Sequence, residues 1–214
     1  MTEDYAASIR GKPIPKQHVE TFLSTHALRG AGNCAINHDA AAHERRHRQQ
    51  RRWATQVIVT DELARHACAA RRLPPPDDVL PMHLLTIPET DVADLGSIIA
   101  AALAHSPAAR ALLAALEREQ HIPETAVRDY YDRNQDRFLT PEALRRGVDP
   151  YDAPDPSDIH PYEQVQDGIA QQLRHAAARR AFFDWLDRAR ADVVYAEGHE
   201  HPGDPSHPDH EHRH

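Results

Sequence analysis

Six histidines, His199, His201, His207, His210, His212 and His214, crowd the last stretch of the chain, interleaved with Asp, Glu and Pro. Neutral imidazoles at that density hold Zn, Ni or Cu without any fold, because a flexible chain wraps the ion at the cost of loop closure alone. A second pattern, His43-Glu44-Arg45-Arg46-His47, fits H-E-x-x-H, two imidazoles one helical turn apart on a metal with a Glu as base. With 17 His in the chain, chance alone supplies about 0.1 such matches per sequence. Arg45 and Arg46 put charge inside the motif, and Gln50 and Trp53 stand where a metzincin needs its glycine and third histidine. Glu62 and His66 lie more than three turns farther along the same helix and cannot fold back to one ion. A solvated helix start is therefore expected at residues 43–47, not a protease.

Nucleophiles are equally sparse. An acyl-transferring serine needs a strained G-x-S-x-G elbow and a histidine base, and none of Ser8, Ser24, Ser97, Ser106, Ser157 and Ser206 sits in such a setting. Cys34 and Cys68 are too few and too isolated for a disulfide framework or a C-x-x-C site. No P-loop and no G-x-G-x-x-G is present, so nucleotide is not expected. Arg45, Arg46, Arg48, Arg51 and Arg52 form the strongest basic cluster. It suits an acidic polypeptide segment or, less well, phosphate, but it is expected first to cover the wet face of the helix whose other face carries Trp53. Trp53, Tyr130, Tyr131, Phe182, Phe183 and Trp185 are expected chiefly in the core, with Phe182 and Phe183 too close in sequence to face inward together.

The whole chain narrows the classes further. Its 214 residues suffice for one large or two small domains. Hydrophobic residues make up 40% and charged residues 27%, while 17 Pro and a mean hydropathy of -0.70 point to polar stretches around an ordered body. The net charge of -8 repels polyphosphate, so nucleic acid is not an expected partner. No apolar run approaches the roughly 18 residues of a membrane span, and acids stand where a signal peptide needs positive charge, so a cytoplasmic protein without membrane attachment is expected.

Patterning gives the elements that must position these residues. Ile9 and Ile14 around Gly11 predict two short extended pieces and a tight turn, followed by a helix over Val19–Leu28 that Gly30, Gly32 and Asn33 break. Trp53, Val57, Ala64 and Cys68 recur at three- and four-residue intervals within one long helix from Asp39 to Arg72, ended by Pro74, Pro75 and Pro76. Ser97 and Ser106-Pro107 mark the starts of two Ala- and Leu-rich helices through Ala104 and Glu119. A short helix is expected within Pro123–Phe138. Five prolines and four aspartates between Thr140 and Pro161 predict a linker or extended loop. Tyr162–Ala191 is a long amphipathic helix, Asp192–Ala196 a closing strand, and the chain after Gly198 a tail unable to form a core.

This order of elements resembles the SurA/PrsA family of bacterial chaperones, many of which carry a parvulin-type peptidyl-prolyl isomerase domain. Ser8-Ile-Arg-Gly-Lys-Pro-Ile-Pro is similar to the family's V-N-G-x-x-I opening, and Arg51-Arg-Trp-Ala-Thr-Gln-Val-Ile-Val-Thr-Asp-Glu-Leu to its long helix. Val127-Arg-Asp-Tyr-Tyr-Asp-Arg-Asn-Gln-Asp-Arg-Phe with Pro141-Glu142 is close to V-x-x-Y-Y-x-x-N-x-x-x-F-x-x-P-E, the most specific match. The resemblance implies a mostly α fold: a SurA-like N-terminal chaperone domain completed by a returning C-terminal helix, with a small β-sheet joining the two ends. Residues 1–139 would form the chaperone-like helical domain, 140–161 a Pro/Asp-rich linker in place of the parvulin domain, 162–197 the completing helix and strand, and 198–214 a disordered His-rich tail. The closing strand would pair with the one near Ile9.

The function so implied is non-catalytic binding of unfolded or extended polypeptide, as a holdase or assembly factor without isomerase activity and with no cofactor required. Transition-metal binding through the tail is the first alternative. The second rests on naming: short bacterial relatives with a similar His-rich ending are sometimes named malonyl-CoA:acyl carrier protein transacylases, a chemistry for which no nucleophile elbow is present here.

Overall fold

The computed structural model describes residues 4–26, 40–73, 97–152 and 154–201. Its described part is mostly helical with one small three-stranded antiparallel sheet. Strands β1 (Tyr5–Ile9) and β2 (Lys12–Pro15) form a hairpin with Ile9 opposite Lys12. The two turn residues, Arg10 at φ 50° and Gly11 at φ 78°, are both left-handed, the geometry that matches the twist of the flanking strands. Helix α1 (Lys16–His26) follows, then α2 (Ala40–Arg71), 32 residues and about 48 Å long. Strand β3 (Val193–Tyr195) closes the sheet against β1, with Ala7 opposite Tyr195 and Ile9 opposite Val193, in the strand order β2-β1-β3. The expected pairing of the closing strand with the one near Ile9 is thus present. Pro13 and Pro15 lie on β2, an edge strand, where a missing N–H is tolerated.

Helices α3 (Ser97–His105) and α4 (Pro107–Glu119) begin where the serine signals place them. Ser106 is the cap of α4: its Oγ accepts from Ala109 N at 2.9 Å, and Pro107 holds the first helical position. Helix α5 (Glu124–Arg133) carries the Val-Tyr-Tyr motif, and a 3-10 turn (Gln135–Phe138) brings Phe138 back toward it. Helix α7 (Tyr162–Arg190) is the last helix before β3 in the chain.

The stretch expected as a linker is folded instead. Helix α6 (Pro141–Arg146) starts at Thr140, whose hydroxyl accepts from Ala143 N, and ends at Gly147 with φ 70°. A second 3-10 turn (Pro156–Asp158) follows, and Leu139 bridges Ile159 through Thr140 N to Asp158 O and His160 N to Phe138 O, each 2.8 Å. The prolines and aspartates that suggested an extended loop are here start and cap residues: Pro141 and Pro156 open their helices, and Asp155 accepts from Ser157 N.

The chain divides into two compact units, one formed by the residues up to Leu112 with those from Asp184 onward, the other by Leu113–Phe183. In the first, α2 packs against α1, α3 and β1. Its middle is buried on every side, since Ala54 through Asp61 are all below a tenth exposed. Phe22 lies 6.0 Å from Trp53 and meets His105 edge-on at 4.8 Å. In the second unit, Val127, Tyr162 and Ile169 are buried together, with Tyr130, Tyr131, Phe138, Val165 and Leu173 packed around them.

No single helix among the described residues is long and apolar enough to cross a membrane. The glycine break at 30–33, the prolines 74–76 and the histidines from His207 on lie outside the described residues.

Candidate functional site

Helix α2 carries Arg52, Thr55, Gln56 and Thr60 in its buried middle, an unusual set of polar side chains for the centre of a core. At spacings of three and four, the first three share one helical face. Arg52 is 2% exposed, so it does not belong to a wet face as its neighbours in sequence suggested, whereas Arg45 is exposed and Arg48 and Arg51 are half-buried. A buried guanidinium must have its donors taken up. Here Nε donates to Glu200 O at 3.1 Å and Nη2 to His201 O at 2.7 Å. Gln56, fully buried, accepts from the Tyr195 hydroxyl at 3.1 Å and turns its amide N–H toward His199 O at 3.5 Å.

The segment that meets these donors is the chain just past β3. Ala196 N donates to Ala6 O, and Gly198, at φ 81°, makes the left-handed turn that brings His199 N back onto Ala196 O at 3.0 Å. Gly198 N is taken by Glu200 Oε1, also at 3.0 Å. His199 is only 5% exposed, with Nδ1 2.8 Å from Thr55 Oγ1. Thr55 donates its one hydroxyl proton to Arg51 O, 2.8 Å away. Its oxygen therefore accepts from His199 Nδ1–H, and Nε2 is the basic nitrogen of the neutral ring.

Burial holds the His199 pKa below its ordinary value, and the Lys16 and Arg51 charges push it the same way, against the opposing pull of Glu200 and Glu20. Burial likewise raises the Tyr195 phenol, with Arg190 and the Gln56 bond acting against it, and burial lowers Arg190.

Two of the six tail histidines thus belong to the folded body. His199 spends a ring nitrogen on Thr55, and His201 is tied through its carbonyl to Arg52. The fold extends to His201, past the expected tail boundary at 198, because the buried donors of α2 need these carbonyls. His207, His210, His212 and His214 all lie outside the described residues. Of the H-E-x-x-H run, Glu44 and His47 are exposed, and the side chain of His43 lies outside the described set. Farther along α2, His66 pairs with Glu62 at 3.3 Å. Among the described residues no group of three or more His, Cys, Asp or Glu side chains is placed to hold a metal ion.

Three of the described serines are occupied locally. Ser106 caps α4, Ser24 donates to Thr21 O, and Ser157 bonds Asp155, so none of these three meets a histidine base. Burial raises the Cys68 pKa, and its thiol donates to Ala108 O at 3.3 Å, the state of a packed thiol rather than a nucleophile.

In the Leu113–Phe183 unit, α5 presents Glu124, Thr125, Arg128, Asp129 and Asp132 around an open recess. The Arg128 guanidinium stacks 3.4 Å from the centre of the Tyr162 ring, whose hydroxyl is buried without a hydrogen-bond partner among the described residues. Tyr131 donates to His160 O at 2.8 Å, and Arg146 pairs with the buried Asp158. Large apolar side chains left exposed among the described residues are Leu144, Tyr151 and Val194.

The polar row on α2 was missed by sequence reasoning. Thr55, Gln56 and Thr60 interrupting an apolar helix segment were the available signal, and the partners of Thr55 and Gln56 lie some 140 residues away in the chain. Comparison with family models, with curated proteins and with solved structures finds no match.

Proposed function

We propose that the chain is a non-catalytic binder of unfolded or extended polypeptide, a SurA-like chaperone domain that acts as a holdase or assembly factor without isomerase activity. The observation that carries this reading is the closure of the first unit: an N-terminal hairpin, a long buried helix and a strand from the far end of the chain join in one sheet, β2-β1-β3. That is the arrangement the resemblance of residues 8–15, 51–63 and 127–142 implies. The chemistry of the side chains fits it, since the polar groups of the site are hydrogen-bond donors aimed at main-chain carbonyls and not a nucleophile, base and oxyanion donor converging on one point.

The test is light scattering of a chemically unfolded client diluted into buffer, with and without the protein and with a chelator present so that histidines cannot contribute. Suppression of aggregation near stoichiometric ratio is the expected result, and no suppression at several-fold excess overturns the reading.

A further inference from the structure

In the first unit the chain holds its own segment past Gly198, bent at Glu200, as a receptor would hold a peptide. Three successive main-chain carbonyls, those of His199, Glu200 and His201, face two side chains one turn apart on α2. Arg52 spans two of them with its rigid fork, and Gln56, its orientation set by Tyr195, faces the third. None of these contacts uses the side chains of Glu200 or His201, so any polypeptide that takes the same bend presents the same acceptors. The one side chain read directly is that of His199, by Thr55. Arg51 Nε lies buried without a hydrogen-bond partner among the described residues, a donor that the present occupant leaves unused. Lys16, Arg51 and Arg52 outnumber Glu20 among the charges the body brings to this place.

We infer that the Arg52–Thr55–Gln56 face of α2 is a binding site for an acidic polypeptide segment in a bent conformation, occupied in cis by residues 199–201 and opened when a client displaces them. The inference rests on the polypeptide-binding reading and names its site and ligand class. Occupation in cis lowers apparent affinity by the fraction of molecules in which the segment is released, so weakening the segment's own hold strengthens client binding. His199→Ala removes the Thr55 contact without touching Arg52 or Gln56. Loss of one buried hydrogen bond of this kind corresponds to roughly tenfold tighter client binding.

The experiment is hydrogen exchange by mass spectrometry on the full chain, with and without saturating reduced and carboxymethylated α-lactalbumin, an acidic chain that stays unfolded. The amides of Gly198 and His199 are bonded to Glu200 Oε1 and Ala196 O in the closed form. The expected result is that client binding removes their protection, and that the His199→Ala chain binds the same client more tightly. Binding of the client with protection at 196–201 unchanged overturns the inference while leaving the polypeptide-binding function standing. No binding by the wild-type chain overturns both.

Discussion

The two units of this chain are held together by different physics. Around α2, the decisive bonds join residues separated by 139 to 149 positions, Gln56 to Tyr195 and Arg52 to His201. They are polar, buried and few. In the Leu113–Phe183 unit the contacts are local and aromatic: Tyr131 lies 5.1 Å from Phe138 and 5.6 Å from Tyr162, and Tyr131 reaches only 29 positions forward to His160. A few buried polar bonds give a switchable closure, because each is worth little once water replaces it, while leaving one donor buried and unmatched costs much more. Aromatic packing has no such asymmetry and degrades gradually with lost area.

That contrast is directly breakable, and the chain supplies its own reporter. Trp53 and Trp185 are the only two tryptophans, and both fall in the first unit. Tryptophan fluorescence therefore follows that unit alone, and far-ultraviolet circular dichroism follows both. The largest effect is expected from Arg52→Ala, which leaves two partly buried carbonyls without their donor and opens a cavity at once. A loss of about 3 kcal/mol or more should appear in the urea midpoint of the tryptophan signal. Arg146→Ala, which leaves Asp158 buried without its cation, should lower stability by about 1–3 kcal/mol in the circular dichroism transition while the tryptophan midpoint stays in place.

The next effect depends on pH. The folded state holds His199 below its unfolded value, so the unfolded chain binds that proton first as pH falls. The stability contributed by a neutral His199 is full above about pH 6.5 and is lost as pH falls below that value, until the folded-state pKa is passed. His199→Gln, which cannot titrate, should flatten this part of the profile of melting temperature read by tryptophan fluorescence. An unchanged slope would place the acid sensitivity among the other histidines. The smallest change is expected from Tyr131→Phe, which deletes the bond to His160 O and keeps the ring. A cost of about 1 kcal/mol confined to the circular dichroism transition would sharpen the picture of a unit held by ring packing.

What the sequence made legible follows the same division. The helix start at Ser106-Pro107 and the Gly11 turn are encoded in local residue chemistry, and the structure places them accordingly. Thr140-Pro141 is as clear a helix start as Ser106-Pro107, but the density of Pro and Asp after it read as a linker, since periodicity needs more than the six residues of α6 to register. The burial of Arg52 and the role of His199 were out of reach for a different reason. Nothing near Arg52 in sequence distinguishes it from Arg51, and only the return of β3 places carbonyls over it. A tail of histidines, acids and prolines looks uniformly unpacked, yet its first members complete a core because Gly198 turns the chain back onto the polar side chains in the buried middle of α2.

The most direct test of the account is the equilibrium binding of a fluorescently labelled, permanently unfolded acidic polypeptide to the full chain, followed by anisotropy with a chelator present. A saturable rise in anisotropy is the result predicted for a polypeptide-binding protein whose site reads main-chain carbonyls. A flat titration up to protein concentrations of about 100 μM, where even weak peptide binding registers, would contradict it.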